Sequence, residues 1–322
     1  MKNIRKIIAI GMVIGITALS LNDLNLAVSG LLLGILIGMV SLGLSLVFKL
    51  FGYANIAHGD FITVGAYAGY FVLGFSWFQV EQLWRFSFGF GVLPAILVAA
   101  IIGAGIGVAG EKFIYKRLRS KGASATTMGI TSLGYAILLR GVVQSIWGSE
   151  LRYYPNIASP YLIGPFDIII PPNHIFIMLT AGFMLGSTYW VINKTFIGLN
   201  LKATADNADL SLLSGVNVQT TRYLAWSIAG ALAGASGVLF VLFNATSQLK
   251  PVMGFSFLVP IFAAVILGGL GSLTGALLGG LAVGLIMQTS TAFIDPTYKV
   301  AIAFCALIVV LLFKPAGILG KR

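Results

Sequence analysis

Apolar residues run in repeated blocks along this chain, each near the length needed to cross a roughly 30 Å hydrocarbon core, with polar or basic interruptions between them. The pattern predicts about ten spans, over roughly 7–21, 27–48, 53–75, 90–110, 125–147, 174–192, 223–244, 255–270, 275–292 and 299–313. The largest polar stretches, around 111–121, 148–173 and 194–221, are too short to build a core of their own. The reading is therefore one all-α transmembrane domain over residues 1–322, a polytopic helical bundle in a lipid bilayer.

Composition agrees with that pattern. Hydrophobic residues make up 58% and charged residues 9%, with a mean hydropathy of +0.98, where soluble domains are about one quarter charged. A net charge of +11 would suggest nucleic acid in a soluble chain, but the basic residues sit at the ends of apolar runs. With ten spans and the N-terminus inside, all of the 20 Lys and Arg except Arg85, Arg140, Arg152, Lys250 and Lys299 fall on the cytoplasmic side. This asymmetry predicts that both termini face the cytoplasm, and it leaves no role for nucleic acid. The single Cys305 lies in the last apolar run, so no disulfide framework follows. The first run has the basic start and short apolar stretch of a signal peptide, but "ALSLN" is a poor small-residue cleavage site, and an uncleaved span is expected.

Catalytic constellations are absent. There is no H-E-x-x-H and no G-x-S-x-G, and His58 and His174 stand far apart, so neither a metal nor another cofactor is expected. The stretch "GGLGSLTGALLGG" lacks the Lys-Ser/Thr that closes a Walker A loop and opens straight into an apolar run. Its glycines predict close helix approach or a backbone break within the membrane.

Against this background the sequence "NIAHGD" is conspicuous, because intramembrane ionisable groups are costly and raise a functional expectation. Small and polar residues replace the leucines of a lipid-facing helix there. That composition predicts a break in the third span, with Gly59 turning the backbone, Asn55 and Asp60 satisfying freed backbone groups, and His58 as donor or acceptor. Two glycine-interrupted segments, one in each half, point to a transport pathway. The candidate path residues are Asn55, His58, Gly59, Asp60 and Gly65 in the first half, and Gly268, Gly269, Gly271, Ser272 and Thr274 in the second.

The cytoplasmic stretch at about 194–221 predicts a short amphipathic helix over Leu201–Leu213, with Gly215 just past its end. Such a helix lies on the membrane surface or docks into a groove on a soluble partner. The outer stretch "GSELRYYPNIASPYLIGPFDIIIPPNH" is either an ordinary connection or a docking surface.

Four stretches in order resemble the permease subunits of branched-chain amino acid type ABC importers: "GYANIAHGDFITVGAY", "EKFIYKRLRS", "KATADNADLSLLSGVNV" and "AAVILGGLGSLTGALLGG". Asp206–Asn207 stand where that family usually has Glu then Asp, and Arg117 replaces a usual proline. The resemblance implies a bacterial-type cytoplasmic (inner) membrane permease without an ATPase site of its own. It also implies ABC ATPase subunits, a second permease subunit, identical or related, and an extracytoplasmic substrate-binding protein as partners. The third stretch resembles the family's coupling motif, which assigns Lys202, Ala205, Asp206, Leu212, Leu213, Gly215 and Asn217 to the ATPase contact. The family includes urea and short-amide permeases as an alternative. An ion-coupled secondary transporter or channel would also explain intramembrane polar groups but would not need a coupling helix. A membrane-embedded enzyme would need a paired acid, nucleophile or metal cluster that is not visible.

Overall fold

The computed structural model describes residues 23–75, 83–155, 161–163, 169–244, 247–314 and 317. The span expected at 7–21 lies outside them. In chain order the helices are α1 (Leu24–Phe51), α2 (His58–Leu73), α3 (Val92–Gly110), a π-helical turn (Glu111–Tyr115) running into α4 (Lys116–Ser120), and α5 (Ala125–Trp147). They continue with α6 (Pro172–Lys194), α7 (Phe196–Asp206), α8 (Ala208–Leu213), α9 (Val218–Phe243), α10 (Met253–Gly268), α11 (Leu273–Thr289) and α12 (Lys299–Phe313).

Six helical stretches among the described residues are long and apolar enough to cross a membrane: Leu24–Phe51, Val92–Ser120, Ala125–Trp147, Pro172–Lys194, Val218–Phe243 and Leu273–Ala292. The chain is a polytopic helical membrane protein. Three further expected spans contain shorter helices, α2 and α10 of 16 residues and α12 of 15. Sixteen residues rise only about 24 Å, short of the roughly 30 Å hydrocarbon core, so a passage at these helices would need irregular backbone as well. Such backbone is tolerated at membrane depth where protein encloses it.

Helix ends follow local chemistry. Asp23 caps α1 by accepting from the Asn25 and Leu26 amides, and Gly52, at φ 70°, ends it with its N–H donating to the Phe48 carbonyl. Ser124 caps α5, which stops at Gly148 with φ 81°. Both are positions where a side chain would strain the backbone.

Helices α1 and α9 form the buried centre. Against α1 lie α9, α10 and α11, and against α9 lie α2 and α3. The contacts rest on glycine. A Cβ on Gly280 would stand 2.3 Å from the Gly38 Cα, and one on Gly284 2.2 Å from the Gly34 amide, so α1 and α11 touch through their backbones. Close approach of this kind drives association where lipid removes the hydrophobic contribution. Helices α5 and α6 are peripheral and expose much of their surface.

Four two-residue strands among the described residues depart from an all-helical reading, three of them within the stretch 148–174. β1 (Arg152–Tyr153) pairs antiparallel with β4 (Gln248–Leu249), and β2 (Leu162–Ile163) with β3 (Ile169–Ile170). Tyr154 anchors this region, its buried hydroxyl donating to the Ala66 carbonyl of α2 at 2.6 Å.

Candidate functional site

The expected break around "NIAHGD" lies earlier than the sequence suggested. Gly52 ends α1, residues 53–57 are irregular, and α2 begins at His58. Gly59 is helical and does not turn the chain; it lets α2 approach α10, since a Cβ there would meet the Gly254 carbonyl oxygen at 2.6 Å. Gly65 plays the same part against α9, where a Cβ would stand 2.1 Å from the Gly234 oxygen. Asn55 does satisfy freed backbone: its buried Oδ1 accepts from the Ala57 amide at 3.2 Å and from the Tyr115 hydroxyl at 3.3 Å. The Ile56 amide donates to Ser132 Oγ of α5 at 2.9 Å. His58 is enclosed, with Nε2 donating to the Val40 carbonyl of α1 at 3.2 Å.

Asp60 behaves differently from the expectation. It serves no freed backbone group; its two carboxylate oxygens accept from Arg140 Nε and Nη2 of α5, both at 3.1 Å. Asp60 is 1% exposed and the Arg140 side chain 21% exposed. The Arg140 guanidinium also lies 4.7 Å from the centroid of the Phe255 ring on α10. One arginine therefore reaches from α5 over α2 toward α10, and its partner is 80 residues away in sequence. Bidentate geometry makes this the stronger class of ion pair. Arg140 stood out in the sequence only as a charge within an apolar run, with nothing local to name its partner.

The second glycine segment forms the turn between α10 and α11. Gly269 (φ 106°) and Gly271 (φ 78°) hold backbone conformations that glycine alone takes readily. Ser272 caps α11 by accepting from the Gly275 amide at 3.1 Å. Gly268 faces Gly275, where a Cβ would come within 1.9 Å of the carbonyl oxygen. Gly271, Ser272 and Thr274 line a cavity of about 800 Å³ together with Lys49, Asn193, Lys202 and Asp206. The structure thus brings three of the five second-half path candidates beside Lys202 and Asp206 of the expected coupling segment. It does not bring them to the Asp60–Arg140 pair.

The segment expected to contact an ATPase is two helices, not one. Asn207 leaves helical conformation at φ −157°, and its side chain caps α8 by accepting from the Leu210 amide at 2.9 Å. An Asn competes with the helix for such backbone bonds, which accounts for the break. Leu201 is buried with Leu46 of α1 and Ala225 of α9, fixing α7 on the bundle. Lys202 Nζ donates to Asn193 at the end of α6 at 2.8 Å. Ala205 is half-buried and Asp206 exposed. Leu210, Leu212 and Leu213 project outward, Leu213 at 86% exposure. At the C-terminus of α8 the Val216 amide bonds the Ser211 carbonyl and the Gly215 amide bonds that of Leu212, with Gly215 at φ 83°. This is a Schellman ending, which favours glycine at that position. Asn217 caps α9 through the Thr220 amide at 3.0 Å.

The stretch "EKFIYKRLRS" holds a second buried charge, whose pairing the sequence alone does not reveal. Glu111, on the π-helical turn, is enclosed and pairs with Arg119, and Gln219 Nε2 of α9 donates to the same carboxylate at 3.4 Å. Arg119 in turn lies 5.1 Å from the Phe51 ring centroid. Tyr115 stacks on Trp226 at 5.2 Å, so the end of α1, the π-helical turn and α9 meet in one aromatic cluster. Among the described residues no three His, Cys, Asp or Glu side chains converge to hold a metal ion.

The chain matches the family described as "Branched-chain amino acid transport system / permease component" over residues 26–311. It is 27% identical over 299 residues to the high-affinity branched-chain amino acid transport system permease protein LivH of Escherichia coli (strain K12), covering 91% of this chain and 94% of LivH. The corresponding protein BraD of Pseudomonas aeruginosa is 27% identical over 298 residues, with the same coverage of 91% and 94%. The ribose import permease protein RbsC of Escherichia coli (strain K12) is 27% identical over 203 residues, 60% of each chain. No solved structure gives a significant match.

Proposed function

This chain belongs to the branched-chain amino acid transport system permease family, and from that premise we propose how it works as the permease subunit of an ABC importer. The cargo is a branched-chain amino acid or a similar small polar solute, delivered by an extracytoplasmic binding protein. The path forms between this chain and a second permease subunit. ATP hydrolysis belongs to separate ATPase subunits. The setting is a bacterial-type cytoplasmic membrane, crossed about ten times with both termini on the cytoplasmic face.

The coupling segment supports this division of labour most directly. Leu212 and Leu213 are large apolar residues left exposed on α8, while Leu201 on the adjoining α7 is buried in the bundle. An apolar knob on a rigid mount suits docking into a groove of a soluble partner. Lys202, Ala205 and Asp206 set its base, while Gly215 and Asn217 end one helix and start the next. Its placement beside the cavity lined by Gly271, Ser272 and Thr274 offers a route for movement from the ATPase to the α10–α11 turn, where Gly268 and Gly269 allow close packing and a bend. On the path side, Asp60 is the charged member, and Asn55, His58, Gly59 and Gly65 hold the helix that carries it.

The test is co-expression with the ATPase and binding protein, reconstitution in lipid vesicles, and parallel measurement of amino acid uptake and ATP hydrolysis. Hydrolysis stimulated by loaded binding protein, with uptake of a branched-chain amino acid, is the expected result. Uptake driven by an ion gradient without ATPase would favour a secondary transporter. Uptake of urea or short amides in place of amino acids would move the substrate class.

A further inference from the structure

The pair between Asp60 and Arg140 is a costly way to hold two helices together. Buried ion pairs lose so much on desolvation that apolar side chains of similar volume often serve as well or better. What distinguishes this pair is unused capacity. A guanidinium carries five N–H donors, and Asp60 engages Nε and one N–H of Nη2. The remaining donors find no other acceptor among the described residues, and the side chain keeps 21% of its surface open. Phe255, its other neighbour, is 46% exposed. Asp60, Arg140 and Phe255 thus bring together a buried carboxylate, a guanidinium with donors to spare and a partly exposed aromatic face, one from each of α2, α5 and α10.

Polar groups continue along the same helices. About two turns farther on, roughly 10 Å along each axis, Tyr67 of α2 packs against Trp147 of α5 with ring centroids 5.2 Å apart. Arg152 donates to the Trp147 carbonyl at 3.1 Å. The Tyr67 hydroxyl and Arg152 Nε are buried without a hydrogen-bond partner among the described residues.

We propose that Asp60 and Arg140 recognise the two charges of a zwitterionic α-amino acid as it passes, Arg140 taking the carboxylate and Asp60 the ammonium. The proposal rests on the permease reading and deepens it. One ion pair opens into two, net charge in the membrane is unchanged, and neither protein group is left unpaired. Arg140 then returns to Asp60 when the solute leaves. Arginine suits the task because its planar fork meets a carboxylate at two points, which lysine cannot do. Phe255 gives the aliphatic side chain of the solute an apolar surface to lie on. An uncharged solute such as a sugar or urea cannot open the pair on these terms, so the pair selects for zwitterions.

The experiment uses the complete transporter in vesicles. In Asp60→Asn/Arg140→Gln both charges are removed together, so no unpaired charge remains and side-chain hydrogen bonding is retained. The expected result is normal complex yield and normal ATPase stimulation by loaded binding protein, with amino acid uptake down roughly tenfold or more, the loss of a charge-assisted hydrogen bond. Wild-type-like uptake per complex would overturn the proposal while leaving the permease reading intact. Absence of ATPase stimulation and uptake in the unmodified transporter would instead sink the permease reading. A second measurement does not depend on the double variant folding. In a Cys305→Ser background, Phe255→Cys is treated with a charged, membrane-impermeant thiol reagent, with and without ATP and loaded binding protein. Labelling that changes with ATP and substrate is expected, and a cysteine inert in every condition, as lipid contact would make it, overturns the proposal.

Discussion

A Cβ placed on Gly103 would stand 2.2 Å from the Gly230 carbonyl oxygen, and one on Gly230 2.1 Å from that of Gly103, so α3 and α9 meet backbone to backbone. Neither atom is the movable end of a side chain, so a substitution must push two helices apart. Overpacking a tight interior costs about 1–3 kcal/mol. Gly230→Leu is expected to lower folded yield and reduce the melting temperature of the purified protein by roughly 1–4 °C. Gly105→Ala, on α3 two residues from Gly103 and with nothing within 4 Å of its Cβ position, should leave both unchanged. Equal behaviour of the two variants would show that the α3–α9 contact does not limit stability.

His58 offers a sharper test now that its surroundings are known. It was expected beside the path, yet it is enclosed between α1 and α2, and its Nε2 donates to a helix carbonyl. His58→Leu removes that bond, worth about 1 kcal/mol, and should lower complex yield. His58→Gln keeps an N–H donor and should hold yield closer to normal. Size-exclusion yield with uptake per complex reads the outcome. Normal yield with lost uptake in His58→Leu would return the residue to the path itself.

The coupling segment makes a prediction of the opposite kind. Leu213 is 86% exposed, so Leu213→Asp touches no packed surface and should leave insertion and yield intact. If the side chain enters a groove on the ATPase, the charge should uncouple hydrolysis from uptake. Gly215→Pro should act similarly, because proline fixes φ near −65° where the chain holds 83° and removes the amide bonded to Leu212. Normal coupled uptake in both variants at normal abundance would remove the segment from the ATPase contact.

The helices were legible where local chemistry decides them. The run 125–147 coincides with α5 because Ser124 caps one end and Gly148 stops the other. The break before α2 was misplaced onto Gly59, since a glycine needed for close approach and a glycine needed for a turn look alike in sequence. Gly52, at φ 70°, makes the turn, and Gly59 faces Gly254. The pattern over Leu201–Leu213 suits one continuous helix because Asn207 can sit in a helix or cap one; in the fold its side chain takes the Leu210 amide and starts a second helix. Charge pairing was not legible. Asp60 and Arg140 are separated by 80 residues, and only the packing of α5 on α2 joins them.

Glu111 and Arg119 allow the cost of an unpaired charge to be measured separately from any transport role. Glu111 is fully enclosed on the π-helical turn, so its carboxylate depends on Arg119 and Gln219 for solvation. Removing one partner of a buried pair costs about 3–5 kcal/mol, whereas replacing both can be close to neutral. Arg119→Ala should therefore destabilise strongly, lowering yield and melting temperature. Adding Glu111→Gln to it should recover much of the loss, because a neutral amide no longer needs the guanidinium and can still bond Gln219. The cycle formed by both single variants, the double variant and the unmodified chain isolates the coupling between them. Additive losses would mean that Arg119 contributes through its contact with the Phe51 ring, at 5.1 Å, and not through the carboxylate.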